Sequence, residues 1–163
     1  MTLQGKLSLI IPAYNEGKQI FRNLQLVVEQ TLPLADEIEV IVVNDGSSDN
    51  TLQEIEQAAA QDGRIRPVSY EQNQGKGNAL RVGTAEATGE YIAFCDSDLD
   101  LEPKQLDRFI EIMQRENADA VIGSKMHPDS HVDYPPIRRM YSLCYYVFLK
   151  LLFRLDTRDT QTG

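Results

Sequence analysis

The chain has 163 residues, of which 42% are hydrophobic and 25% charged, and it carries a formal net charge of −9. That length suits one domain able to bury roughly 70% of the surface its unfolded form exposes, and the composition excludes an intrinsically disordered chain. The acidic total excludes duplex nucleic acid as the main partner, while Cys95 and Cys144, lacking CxxC or Cys/His ligand spacing, suggest neither a disulfide framework nor a zinc site and fit a reducing compartment.

Residues 6–13 (KLSLIIPA) form a short apolar, β-branched run that reads as a first strand and not as a signal peptide, since no basic flank or small-residue cleavage site accompanies it. Residues 17–32 follow with apolar positions at helical spacing. Residues 39–44 (EVIVVN) predict a second strand, and the turn-rich DGSSD at 45–49 supplies N-cap candidates for a helix over 50–61, Asp49 among them. A third strand is predicted over 65–70, a helix opened by Gly75-Lys76-Gly77 runs to about Ala87, and residues 90–95 (EYIAFC) read as a fourth strand. Pro103 suits a first helical turn, which predicts a helix over 103–116, and residues 120–123 read as a short fifth strand. Strands alternating with helices predict an α/β fold with a mostly parallel sheet and helices on both faces.

In open parallel sheets ligands collect at the carboxyl ends of the strands. Four polar segments each follow a predicted strand: 13–16, 44–49, 72–78 and 96–100. Of these, Asp96-Ser97-Asp98-Leu99-Asp100 is the strongest feature. Three acids at alternate positions of a turn can converge on Mg²⁺ or Mn²⁺, whose remaining positions take diphosphate oxygens; alone, the same tripeptide also reads as a solvated turn. Asn15-Glu16 and Asp45 can accept from a base N–H or from ribose hydroxyls. Gly75-Lys76-Gly77 can either cradle a phosphate at a helix N-terminus or form a plain turn, and it matches neither GxxxxGK[ST] nor GxGxxG. His127 and His131 flank Pro128, which argues against a paired zinc site on one helical face.

Taken together, IIPAYNE (10–16), VVNDGSSDNT (42–51), NQGKGNAL (73–80), DSDLD (96–100) and GSK (123–125) resemble the family 2 glycosyltransferases, which have the nucleotide-sugar-binding GT-A fold. Arg138-Arg139 and the terminal DTQTG are similar to motifs of the polyprenyl-phosphate (dolichyl-phosphate type) glucosyl- and mannosyltransferases. The resemblance implies inverting transfer of a hexose from a UDP- or GDP-sugar to a lipid phosphate, with Mg²⁺ or Mn²⁺ as cofactor. It implies a nucleotide-sugar site from Pro12, Ala13, Tyr14, Glu16, Asp45, Gly75, Lys76, Asp96 and Ser97, and a metal site from Asp98 and Asp100 with Asp96. Lys125, Arg138, Arg139 and Asp159 would serve the acceptor side, with Asp159 as base or orienting acid. Rivals are transfer to a sugar hydroxyl in cell-wall or exopolysaccharide synthesis and a non-catalytic nucleotide-sugar-binding module.

The subgroup often has arginine where this chain has Lys125, which makes that phosphate contact a point charge. Gly163 ends the chain inside a motif that continues in the family, so the reading is one GT-A-like catalytic domain cut short, with 1–123 as the nucleotide-sugar part and 124–163 as the start of the acceptor part. Residues 140–155 (MYSLCYYVFLKLLFRL) are apolar on nearly every side, yet too short and too interrupted by Lys150 and Arg154 to span a bilayer. They predict either a core helix or one lying in a membrane interface. With a lipid-phosphate acceptor, the expectation is a cytoplasmic protein with peripheral contact at the inner face of a membrane.

Overall fold

The computed structural model describes residues 2–123. The chain divides into two compact units, Met1–Ala118 and Asp119–Gly163, and only residues 119–123 of the second are described.

The first unit is built on four strands: β1 (Leu3–Ala13), β2 (Ala35–Asp45), β3 (Ile65–Tyr70) and β4 (Tyr91–Phe94). They form one sheet of order β3-β2-β1-β4, and every pairing in it is parallel. Four helices join them: α1 (Ile20–Thr31), α2 (Thr51–Gln61), α3 (Lys76–Glu86) and α4 (Leu106–Glu116). β1 and β2 are the central strands and are covered on both faces, which is why SLIIPA and EVIVVN read as nearly continuous apolar runs.

On one face Leu7, Leu9 and Ile11 of β1 and Val40 and Val42 of β2 share a core with Ile20, Leu24 and Val27 of α1, Ile55 and Ala58 of α2, and Ile110 of α4. On the other face Ile41 and Val43 pack with Ala79 of α3. The change of face follows from the strand order. The chain steps outward from β1 to β2 to β3, then returns past both to place β4 beside β1, and right-handed crossovers put a helix on the opposite face when the direction reverses. The strand order reverses between β1 and β4, and sheets of this kind bind ligands at the carboxyl ends of the strands at such a point.

The predicted parallel α/β architecture with helices on both faces is the one observed. Several boundaries differ. β1 and β2 start at Leu3 and Ala35, several residues earlier than their apolar runs, because Leu3 and Ala35 pair across a register shift that precedes Lys6. α1 starts at Ile20, since residues 17–19 are spent on the turn in which Glu16 O accepts the N–H groups of Gln19 and Ile20. The helix predicted from Pro103 begins as a 3₁₀ turn, Pro103–Gln105, before α4 takes over.

The fifth strand predicted over 120–123 does not form: these residues carry no strand pairing, and Ile122 is 66% exposed. A run of four residues is a strand only where a neighbouring edge supplies the ladder, and no such partner exists among the described residues.

Candidate functional site

The carboxyl ends of the four strands bring Ala13, Asp45, Tyr70 and Asp96 to one edge of the sheet. Asp45, the last residue of β2, is buried, with 3% exposure. Its side chain organises the loop after β3. Tyr70, its register partner, donates its hydroxyl to Asp45 Oδ1 at 2.7 Å, and the Gln74 N–H donates to the same oxygen at 2.8 Å. Asn73 Nδ2 donates to Oδ2 at 3.1 Å and also to the Asp45 carbonyl at 3.1 Å. A carboxylate offers about four acceptor positions, and the described residues use three, leaving one on Oδ2 that none of them fills. Burial, then the hydrogen bond to Asp45, pushes the Tyr70 hydroxyl above its usual range and keeps it a donor. Gly46 follows with φ +64, and a Cβ there would lie 2.5 Å from the Asn73 nitrogen, so only glycine lets the two loops approach so closely.

The loop after β1 is tied to the start of α2. Asn15 has φ 56, the left-handed region that asparagine tolerates. Its N–H donates to Ser47 Oγ at 3.0 Å, and its Oδ1 accepts the Ser48 N–H at 2.9 Å. Asp49 accepts the Thr51 N–H at 3.0 Å, the Thr51 hydroxyl, and the Gly17 N–H at 3.1 Å; the Thr51 hydroxyl bond, above all, holds its carboxyl below the usual range. The N-cap position of α2 is Asn50 and not Asp49, and no side chain makes the cap bond there; Asp49 instead holds the first N–H of the helix from one residue outside it and clamps the two loops together. Glu16 turns back on its own loop, accepting from Gln19 Nε2 at 2.7 Å. Pro12 and Ala13 are buried in β1, whereas Tyr14 stands 49% exposed above them.

The acidic turn after β4 leaves the strand at Cys95, whose thiol burial pushes up to about 11. Asp96 O accepts the Leu99 N–H at 3.3 Å, Leu99 has φ 57, and Asn23 of α1 donates Nδ2 to Ser97 O at 2.7 Å, so the turn is anchored to α1 through the buried Ser97. The three acids then diverge in role. Asp96 pairs with Lys76, Nζ to Oδ1, at 2.6 Å, while the exposed Asp98 accepts the N–H of the exposed Asp100 at 3.1 Å. Among the described residues no three His, Cys, Asp or Glu side chains gather into a cluster able to hold a metal ion. Asp98 and Asp100 nevertheless form an open pair of hard oxygen donors on one turn, which suits Mg²⁺ or Mn²⁺ that completes its shell with water and phosphate oxygens.

Gly75 (φ +88) precedes Lys76, the first residue of α3; no side chain caps this helix, and a Cβ at Gly75 or Gly77 would meet nothing within 4 Å. Open N–H groups over free space suit an anion. A cleft at the opposite, amino end of the strands is lined by Lys6, Asp36, Glu37, Glu39, Arg64 and Arg66. Its cations pair with neighbouring carboxylates, and it lies away from the converging loops. Of the residues expected to act, Lys125, Arg138, Arg139 and Asp159 lie outside the described residues, as does the apolar run 140–155. Tyr70, Asn73 and Asn23 were not foreseen. Tyr70 closes a strand next to β2, and only the β2–β3 register shows that it meets Asp45.

Residues 8–162 match the profile of glycosyl transferase family 2. The chain is 34% identical over 160 residues to glycosyltransferase AglD of Haloferax volcanii, covering 97% of this chain and 26% of the relative. It is 32% identical over 168 residues to a dolichyl-phosphate beta-glucosyltransferase, ALG5C, of Trichomonas vaginalis, covering 96% of this chain and 50% of that one. It thus spans between a quarter and a half of these relatives. Among solved structures, the mannosyltransferase PcManGT of Pyrobaculum calidifontis in complex with GDP-Man and Mn²⁺ superposes with a TM-score of 0.61 at 29% identity, over 75% of this chain and 35% of that one. TarS of S. aureus in complex with UDP gives 0.60 at 27% identity, over 76% and 40%. With the parallel sheet, the converging loops and the match over nearly its whole length, this chain belongs to glycosyl transferase family 2 and has the GT-A fold.

Proposed function

We propose that this chain carries the donor side of an inverting hexosyltransferase that moves a sugar from a UDP- or GDP-sugar to a polyprenyl phosphate. The observation that carries the reading is Asp45: a buried carboxylate at the end of a central strand, with one acceptor position that no described residue fills beside an uncapped helix N-terminus. A base N–H suits the first and a diphosphate suits the second. Relatives named for dolichyl-phosphate and undecaprenyl-phosphate substrates support the acceptor, and neighbours solved with GDP-Man and with UDP support the donor class.

In this reading the base rests against Asp45 under the exposed ring of Tyr14, and the diphosphate extends toward Gly75 and Lys76. Asp98 and Asp100, joined by Asp96, would hold Mg²⁺ or Mn²⁺, which when bound neutralises charge on the leaving diphosphate. The acceptor phosphate is already an anionic nucleophile. Its oxygen bonds to the anomeric carbon as the bond from that carbon to the diphosphate breaks, so positioning by Lys125, Arg138 and Arg139 matters more than deprotonation, and Asp159 orients the acceptor. The apolar run 140–155 would meet the membrane that holds the lipid tail; no described helix is long and apolar enough to cross a membrane.

The test is transfer from radiolabelled UDP-glucose, UDP-N-acetylglucosamine and GDP-mannose by the whole protein to a short polyprenyl phosphate, with Mn²⁺, Mg²⁺ or EDTA. Metal-dependent label in the organic phase is expected. Label passing only to sugar hydroxyls would overturn the lipid-phosphate acceptor, and absence of any nucleotide binding would overturn the donor site.

A further inference from the structure

Lys76 and Asp96 belong to loops with different tasks: Lys76 opens α3 beside the proposed diphosphate position, whereas Asp96 starts the acidic turn after β4. Their 2.6 Å ion pair joins the two loops, and both side chains are nearly half exposed. Such a pair is weak and easily exchanged. It is also placed where exchange has consequences. An ammonium held on the acidic turn repels an arriving divalent cation, and while it is held there it is not offered to a phosphate. The space over Gly75 and Gly77, where an added Cβ would meet nothing within 4 Å, leaves Lys76 room to move to an anion at the start of α3.

We infer that Lys76 is a positioning residue that changes partner on binding: it holds Asp96 in the ligand-free protein and moves to the diphosphate when donor and metal arrive. Each ligand then prepares the site for the other. The metal draws Asp96 away and frees the ammonium, and the diphosphate draws the ammonium away and relieves the repulsion of the metal. Because coupling between two binding events is reciprocal, metal and nucleotide tighten one another by the same factor. This inference rests on the donor site proposed above.

The test uses Lys76→Gln and Lys76→Arg in the full chain, with Mn²⁺ binding followed by electron paramagnetic resonance without nucleotide and UDP and GDP binding followed by calorimetry in Mn²⁺ and in EDTA. The native protein should show coupling of roughly tenfold in both directions. Lys76→Gln should bind Mn²⁺ alone roughly three- to tenfold more tightly, bind nucleotide more weakly, and lose at least a threefold share of the coupling. Lys76→Arg should retain the coupling, and unchanged thermal midpoints would show that both variants fold. If Lys76→Gln binds Mn²⁺ alone no more tightly than the native protein while nucleotide still binds, the exchange is wrong and the donor site stands. If the native protein binds neither UDP nor GDP, the donor site and the exchange both fall.

Discussion

Ser8 on β1 and Glu39 on β2 are register partners whose side chains meet at 2.6 Å, the hydroxyl donating to the carboxylate, with neither residue more than 4% exposed. Thr88 adds its N–H at 2.7 Å and its hydroxyl at 3.0 Å, and Arg66 adds Nη1 at 3.0 Å. Burial pushes this carboxyl up, but the hydrogen bonds from Ser8, Thr88 and Arg66 together outweigh it and hold the pKa at about 2.

A depressed carboxylate contributes stability that is present above its unfolded value, near 4.5, and is lost as pH falls toward about 2. Glu39 should therefore account for on the order of 3 kcal/mol of the acid limb of the stability curve. Urea titrations between pH 7 and pH 2.5 should show Glu39→Gln less stable at pH 7 and with a flatter acid limb. An acid limb unchanged in the variant would show that other carboxylates carry it.

Gly83 of α3 packs tightly against the sheet: a Cβ there would lie 2.4 Å from Ile10 Cγ2 and 3.1 Å from Val43 Cγ2. Alanine improves helix propensity by about 1 kcal/mol, yet overpacking a filled core costs about 1–3 kcal/mol. A contact as short as that to Ile10 places the overpacking toward the upper end of its range, so the collision should win and Gly83→Ala should lower the urea midpoint by a net cost of up to about 2 kcal/mol. A variant as stable as the native protein would refute the tight packing of α3.

Tyr70→Phe removes one donor from Asp45 and keeps the ring. It should cost about 1 kcal/mol of stability and weaken nucleotide binding roughly three- to tenfold, because the loop carrying Gln74 and Gly75 loses one of its ties. Asp45→Ala removes the acceptor of three part-buried hydrogen bonds whose donors solvent can partly reach, and should cost about 1–3 kcal/mol as well as weakening nucleotide binding with or without metal. Calorimetry beside urea titration separates the two effects; equal nucleotide affinity in Tyr70→Phe and the native protein would remove Tyr70 from the site.

Asp98 is exposed and, among the described residues, accepts only the Asp100 N–H. Asp98→Ala should leave stability within about 0.5 kcal/mol and abolish the metal dependence of nucleotide-sugar binding. Unchanged affinity and unchanged response to EDTA in this variant would show that the metal, if used, is held elsewhere.

By itself the sequence determined the alternation of strands and helices, the parallel sheet and the edge at which the polar loops collect. These are local signals: two central strands buried on both faces must be apolar throughout, and the turn chemistry of Gly46, Asp49 and Gly75 is written at single positions. The DSDLD run and Asp45 were legible for the same reason, each ending an apolar strand. Only the tertiary structure decided which side chains meet. That Tyr70 serves Asp45 follows from the β2–β3 register, that Asn23 holds Ser97 from the packing of α1 beside β4, and that Lys76 rather than a neighbouring aspartate faces Asp96 from the return of α3 across the sheet. Residues 120–123 show the converse: an apolar run is a property of the chain, but a strand is a property of the neighbour that pairs with it, and no described edge pairs with this one.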